Sequence, residues 1–193
     1  MSVFERPEVV ERYGRERAQW RDLYPSESWI LSHLPTLSVH TVLDFGCAAG
    51  GFRNLFPHAQ YSGVDQSLSM LEKAKESHPD SLFWDNLPDS GLYDLVMSLG
   101  TLPHIADWES RIWQLWKLTR THLVIDLRLG SEDRTGTYQD VPYHILSYRR
   151  ALRFLNCLNP QSLTLHGYTH ASNCEEFPEV FMGVFLLEKR RSN

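Results

Sequence analysis

Apolar residues along this chain follow two periods in alternation. Short runs rich in branched and aromatic residues stand at 41–45 (TVLDF), 61–65 (YSGVD), 81–85 (SLFWD), 93–99 (YDLVMSL) and 122–129 (HLVIDLRL), and each predicts a strand. Helical spacing lies between them. Residues 50–56 set Phe52, Leu55 and Phe56 at i, i+3 and i+4, a short helix face that Pro57 ends. Residues 67–78 predict a helix with Ser67 as N-cap and Leu68, Leu71 and Ala74 toward the core. Residues 107–120 predict another, capped by Asp107, with Ile112, Leu115, Trp116 and Thr119 on one side. This rhythm predicts parallel βαβ units, because each parallel neighbour needs a crossover. Runs apolar on both faces, such as TVLDF and HLVIDL, fit a sheet covered on both sides.

The last third reads differently. Residues 143–156 predict a helix, and 162–170 and 179–190 predict strands with about ten residues between them. That connection is too short for a crossover, so the two strands should pair antiparallel. The expected fold is α/β: a seven-stranded, mostly parallel sheet with a C-terminal antiparallel hairpin and helices on both faces.

Composition narrows the class. The 193 residues favour one domain with a full core. Apolar residues at 42%, charged residues at 22% and a net charge of −5 match an ordinary soluble globular protein. The first 35 residues carry five Arg against six Asp and Glu, and the closing EKRRSN reads as a solvated tail. Charge therefore does not point to DNA or bulk RNA as partner, and leaves only a specific RNA open. The N-terminus is charged from residue 5 and has no apolar signal core, and the longest apolar stretches fall far short of a bilayer span, so no membrane insertion is expected. Cys47, Cys157 and Cys174 are widely spaced, which suits a reducing cytoplasm and gives no disulfide framework.

Open α/β sheets bind ligands outside the carboxyl ends of their strands, so the chemistry is sought there. The first strand runs into Asp44, Phe45, Gly46, Cys47, Ala48, Ala49, Gly50 and Gly51. Small residues let the loop turn tightly and let a ligand approach the backbone; a tight βα turn with no ligand is the plain alternative. Asp65 follows 19 residues after Gly46 and can accept both hydroxyls of a ribose, or act only as a helix N-terminal acid. Asp85 follows 20 residues after Asp65, with Asn86 and Leu87 next, and can accept from an exocyclic amine such as adenine N6, or simply belong to a turn. Three acids at three successive strand ends together predict a nucleoside site.

These residues resemble the class I S-adenosylmethionine-dependent methyltransferases. VLDFGCAAGG is similar to the family's first motif, YSGVDQS to its ribose motif, WDNLPD to its adenine motif and YDLVMSLGTLPHIADW to its strand-four motif. The resemblance spans roughly 40–130 in motif pattern, and the strand order extends it to the C-terminus. It implies a Rossmann-like fold, S-adenosylmethionine as cofactor, S-adenosylhomocysteine as product and a small-molecule acceptor. It also implies roles. Asp44 would orient the loop and meet the methionine amino end, with Phe45 and Ala48 in that loop. The backbone of Gly46, Cys47 and Gly50 would line the methionine and ribose. Asp65 would bind the ribose hydroxyls and Gln66 would flank the adenine. Asp85 and the Asn86 backbone, beside Leu87, would read the adenine edge. Ser98 and Leu99 would lie beneath the methionine end, and Tyr13 and Arg17 near its carboxylate. Ala48 is a departure, standing where a middle glycine is common. Within a single domain, residues 1–38 would be a helical lid, 39–129 the cofactor-binding core and 130–193 the acceptor side with its hairpin.

An NAD-dependent oxidoreductase is the rival class. Its GxGxxG fingerprint can almost be laid on 46–51, but Ala48 stands where pyrophosphate approach needs glycine, and Asp44 would sit poorly beside a pyrophosphate. A non-catalytic binder of the methyl donor is a second alternative.

His104, in TLPHIAD after the fourth strand, is the candidate general base; a structural histidine bonded to a carbonyl is the alternative. No Asn-Pro-Pro-Tyr or Asp-Pro-Pro-Tyr follows strand four, and no Pro-Cys occurs there, which disfavours base and glutamine N-methylation and cytosine-C5 chemistry. Residues 9–34, with Tyr13, Arg17, Trp20, Tyr24 and Trp29, and residues 130–148, with Gly130, Gly136, Tyr138, Tyr143 and His144, are candidates for a lid, although Trp29 at least should pack on the sheet. So small a lid suggests a compact acceptor, first a hydroxyl of a sugar or glycan precursor. No metal site is expected. His166, His170 and Cys174 recur every four residues, but i and i+4 on a strand lie about 13 Å apart, too far to share a zinc ion.

Overall fold

The computed structural model describes residues 3–11, 25–33, 37–138, 141–169 and 179–190. Two compact units divide the chain, Met1–Met97 and Ser98–Asn193.

In the first unit, β1 (Thr41–Phe45) pairs in parallel with β2 (Gln60–Val64) on one side and β4 (Tyr93–Ser98) on the other. β2 pairs in parallel with β3 (Leu82–Trp84), giving the order β3-β2-β1-β4. The chain builds outward from β1 through β3, then returns to the other side of β1. The carboxyl end of β1 is thus a switch point, where open sheets hold ligands. Consecutive residues Val42 and Leu43, and Leu95 to Met97, are fully buried, as befits strands covered on both faces. Asp94 fastens the start of β1: its carboxylate accepts the His40 and Thr41 N–H groups at 2.9 and 3.0 Å.

Helix α1 covers Pro25–His33, and residues 7–11 are also helical. Ile30 of α1 is buried, whereas Trp29 is half-buried and its ring centroid lies 4.3 Å from that of His33. Residues 51–55 form a 3-10 helix in place of the expected helical turn. Helix α2 (Leu68–Ser77) starts at its predicted cap, the Ser67 hydroxyl accepting from Met70 N–H. Its buried stripe is Met70, Leu71 and Ala74. Leu68, expected in the core, is 60% exposed, because it lies about a third of a turn from the centre of that stripe.

The second unit contains α3 (Trp108–Leu118), β5 (Thr119–Gly130), β6 (Arg134–Tyr138), β7 (Val141–Ser147), α4 (Tyr148–Cys157), β8 (Ser162–Tyr168) and β9 (Phe181–Glu188). Asp107 caps α3 as expected, while Thr119 belongs to β5 and donates its hydroxyl to Leu115 O at 2.8 Å. β9 runs antiparallel to β5 along 122–129 and to β8, so the expected C-terminal hairpin stands. The helix expected from residue 143 begins only at Tyr148. Residues 141–147 are instead a strand paired antiparallel with β6, and in parallel with β5 at Leu129 and Gly130. The pattern explains the correction: Val141, Tyr143 and Ile145 are buried between the more exposed Pro142 and His144, a period of two. The described strands therefore number nine rather than seven, the added pair arising from the segment expected as an acceptor-side lid. No described helix is long and apolar enough to cross a membrane.

Candidate active site

The loop after β1 is laced to β2. Gly46, Ala48 and Gly50 have φ of 82°, 46° and 76°. Glycine takes such angles freely; Ala48 takes one at a steric cost, so something must hold it there. That something is Asp65, whose Oδ2 accepts the Ala48 N–H at 2.9 Å while Oδ1 accepts Ser67 N–H at 2.9 Å. Three further loop amides turn inward as well. Gly46 and Cys47 donate to Val64 O at 2.7 and 3.1 Å, and Gly50 donates to Cys47 O at 2.8 Å. A methyl on Gly50 would also lie 3.2 Å from the rings of His78 and Phe83. Burial pushes the Asp65 carboxyl up, with the Glu5 charge adding to it, against the two N–H bonds that pull it down.

Beneath the loop, Asp44 is 1% exposed and accepts a short hydrogen bond from the Tyr61 hydroxyl, itself 3% exposed. Burial, then the Asp44 charge, push the Tyr61 hydroxyl well up, so it stays a donor. The parallel register pairs Val42 with Tyr61, so Asp44 lies two residues along from the phenol's partner, a diagonal neighbour on the same face. Tyr61 was not among the expected site residues; a tyrosine two residues before the GVD of β2 was its signal. Tyr61→Phe should lower unfolding stability by about 1.5–3 kcal/mol, the scale of a hydrogen bond to a charged group, as read by urea denaturation.

Glu5 is a second residue that sequence reasoning missed. Its carboxylate accepts Leu68 N–H at 3.1 Å and the Ser69 hydroxyl at 3.4 Å, at the positive end of α2. Val10 follows it into a cluster with Ala49 and Met70, against which Ala48 packs. Glu5 and Val10 of the N-terminal segment thus contact the start of α2 and the loop residue Ala49. Tyr13 and Arg17, expected near the methionine carboxylate, lie outside the described residues, as do Trp20, Tyr24, His170 and Cys174. At the rim of the first unit, Gln66, Asp85 and Asn86 are exposed and Leu87 is half-buried, open to a ligand from solvent. The hydroxyl of Ser98, which ends β4, is buried with no hydrogen-bond partner among the described residues, and Leu99 beside it is 7% exposed.

In the second unit, Leu102–His104 form a 3-10 turn. His104 Nδ1 lies 2.6 Å from Pro142 O and so carries the proton, which assigns the lone pair to Nε2. Burial lowers the His104 pKa, and the charges of Arg128 and His144 lower it further against the Pro142 bond. The expected structural bond to a carbonyl is therefore present, and it leaves the ring in the tautomer a general base needs. A separate open groove of about 370 Å³ is lined by Trp108, Asp133, Arg134, His144 and Arg150 among others. Its arginines are already engaged, Arg134 with Glu132 and Glu179, Arg150 with Glu109 and Asp133.

Comparison with known proteins agrees with this geometry. No family profile matches the chain. A curated trans-aconitate 2-methyltransferase from Variovorax paradoxus (strain S110) is 26% identical over 144 residues, covering 69% of this chain and 52% of that protein. The chain thus spans about half the length of this relative. Among solved structures, magnesium protoporphyrin IX methyltransferase from Synechocystis PCC 6803, with bound SAM, superposes with a TM-score of 0.68 at 14% identity, covering 97% of this chain and 93% of that one. The [4+2]-cyclase SpnF superposes with a TM-score of 0.72 at 9% identity, covering 98% and 95%. The chain has the class I S-adenosylmethionine-dependent methyltransferase fold: mixed α/β, parallel through its first strands and antiparallel toward its C-terminus. The cyclase in the same company is a reminder that function must be argued from the site.

Proposed function

We infer that this chain binds S-adenosylmethionine and transfers its methyl group to a small molecule. The observation that carries the reading is the loop after β1, whose Gly46, Cys47, Ala48 and Gly50 amides are all satisfied within the protein. A pyrophosphate needs such amides pointing outward, at the start of a helix. Here they turn inward, and only a five-residue 3-10 helix follows. The site offers acids instead: Asp44 beneath the loop, Asp65 at the end of β2 and Asp85 past β3. That donor set fits a cofactor cationic at its sulfonium and amino end, and it argues against NAD.

When bound, the sulfonium supplies an electrophilic methyl group. Asp44 serves the methionine amino end, and Phe45, Gly46, Cys47, Ala48 and Gly50 form the wall. Asp65 accepts the ribose hydroxyls on lone pairs left by its two amide bonds. Gln66, Asp85, Asn86 and Leu87 frame the adenine, and Ser98 offers its hydroxyl near the methionine end with Leu99. Tyr13 and Arg17 are assigned to the methionine carboxylate. His104 accepts the proton of a hydroxyl acceptor through Nε2. A hydroxyl of a sugar or glycan precursor is the first acceptor class, and the name of the curated relative supports a small molecule in general.

Titration calorimetry with S-adenosylhomocysteine beside NADH tests the reading. Binding of the first alone is expected, and binding of NADH alone would overturn it. A chain that binds S-adenosylhomocysteine yet moves no labelled methyl into a cell extract would be the non-catalytic binder.

A further inference from the structure

Within the second unit, the turn that carries His104 is held at both ends. It starts at Gly100, whose φ of 71° is a left-handed angle that glycine adopts freely. The Gly100 N–H is shared by both oxygens of Asp126, at 2.8 and 2.9 Å. Asp126 is 3% exposed and stands within β5, which β9 pairs along 122–129, so the acceptor sits on a rigid strand. From Gly100 onward the turn closes on itself. The His104 backbone N–H donates to Thr101 O at 2.9 Å, and that of Ile105 to Leu102 O at 3.0 Å. Leu102 and Pro103 are buried beneath it. At the far end, the His104 ring meets Pro142 O of β7 at 2.6 Å.

A turn closed by its own bonds moves as a unit. Glycine by itself fixes no direction, so the Asp126 bond decides how the chain leaves the end of β4. That bond is charge-assisted and shielded from water, which makes it strong for a backbone contact. We propose that Asp126 is the positioning residue for His104: through the Gly100 N–H it sets the turn 100–104, and with it the place of His104 Nε2. The proposal rests on the methyl-transfer reading above, in which His104 accepts a hydroxyl proton, and deepens it by naming the group that aims the base. Asp126 acts through the backbone and exchanges no proton with the acceptor. Aim matters at this scale, since a misplacement of about 1 Å can cost about 10²-fold in rate. The shared bond also explains the acid. Either orientation of an asparagine amide in this seat would put its NH₂ at 2.8 or 2.9 Å from the Gly100 nitrogen, donor against donor.

The test uses the full chain, labelled S-adenosylmethionine and a deproteinised cell extract as the source of acceptor. Asp126→Asn should slow transfer by at least about tenfold while leaving the calorimetric affinity for S-adenosylhomocysteine within about twofold. A double-mutant cycle then asks whether the loss runs through His104. Added to His104→Ala, the same substitution should change the residual rate by less than about twofold, because the base it aims is gone. An equal loss in both backgrounds would overturn the proposal, as would an asparagine variant as fast as the parent. NMR titration of the nitrogen-labelled His104 ring, assigned by its absence in His104→Ala, reads position without turnover. The parent ring should hold the Nδ1–H tautomer and titrate below 6.5, and in Asp126→Asn the tautomers should mix and the titration move up toward 6.5. Identical ring signals in the two chains would overturn the positioning role. Gly100→Ala strains the same pivot at φ 71° and serves in the cycle, with the same outcomes, if Asp126→Asn does not fold. The underlying reading fails separately. His104→Ala transferring at the parent rate would end the base role and Asp126's with it. A chain that binds S-adenosylhomocysteine but moves no label would defeat methyl transfer itself, while the ring titration still decides whether Asp126 places His104.

Discussion

Asp65→Ala should abolish measurable binding of S-adenosylhomocysteine. The carboxylate does two jobs at once. It holds the Ala48 amide, and with it a non-glycine residue at φ 46°, and it is the acceptor assigned to the ribose. A hydrogen bond to a charged group contributes about 1.5–3 kcal/mol. Losing two ribose contacts together is therefore worth about 10²–10⁴ in affinity, before any collapse of the loop is added. Asp65→Asn should fall between, because its amide NH₂ would face either the Ala48 or the Ser67 N–H, donor against donor. Calorimetry on folded variants checks the order, and an Asp65→Ala chain binding within threefold of the parent would remove the foundation of the cofactor site. A pH dependence accompanies it. The Asp65 carboxyl is held above its ordinary 3.8, so the acid limb of cofactor affinity should lie higher than an ordinary aspartate would set it. The same shift acts on folding with opposite sense: a raised folded pKa favours the protonated form, so this group's contribution to stability is present below 3.8 and lost as pH rises through the folded value.

The candidate cofactor residues were picked out from the sequence because the signals that mark them are local. Asp44, Asp65 and Asp85 each end a strand, and a strand end is visible as the place where an apolar run meets a turn. The loop from Gly46 to Gly51 announces itself by the side chains it lacks. What sequence could not give is contact made by register or chain reversal. Tyr61 reads as one more strand aromatic until β1 and β2 are aligned and its hydroxyl meets Asp44. Glu5 reads as surface charge until the N-terminus folds back onto α2. The 141–147 strand was misread for a related reason. Its apolar run continues into helix α4, and short apolar runs are ambiguous in period until their pairing partner is known.

Replacement of His104 by alanine should lower kcat by about 10²–10⁴ if the acceptor oxygen is a hydroxyl, the range of general acid–base contributions. The argument is geometric first. Donation of Nδ1–H to Pro142 O at 2.6 Å orients the ring and assigns the lone pair to Nε2. The pKa then decides the useful range. Burial and the charges of Arg128 and His144 hold it below 6.5, so the ring is neutral and able to accept a proton at neutral pH. The acid limb of kcat/KM should consequently fall below 6.5 and vanish in the alanine variant. For folding, a depressed pKa means this group's contribution is present above 6.5 and lost as pH falls through the folded value, so acid should lower stability along with activity, while the Nδ1–H donation to Pro142 O survives protonation. Unchanged turnover in His104→Ala would end the base role.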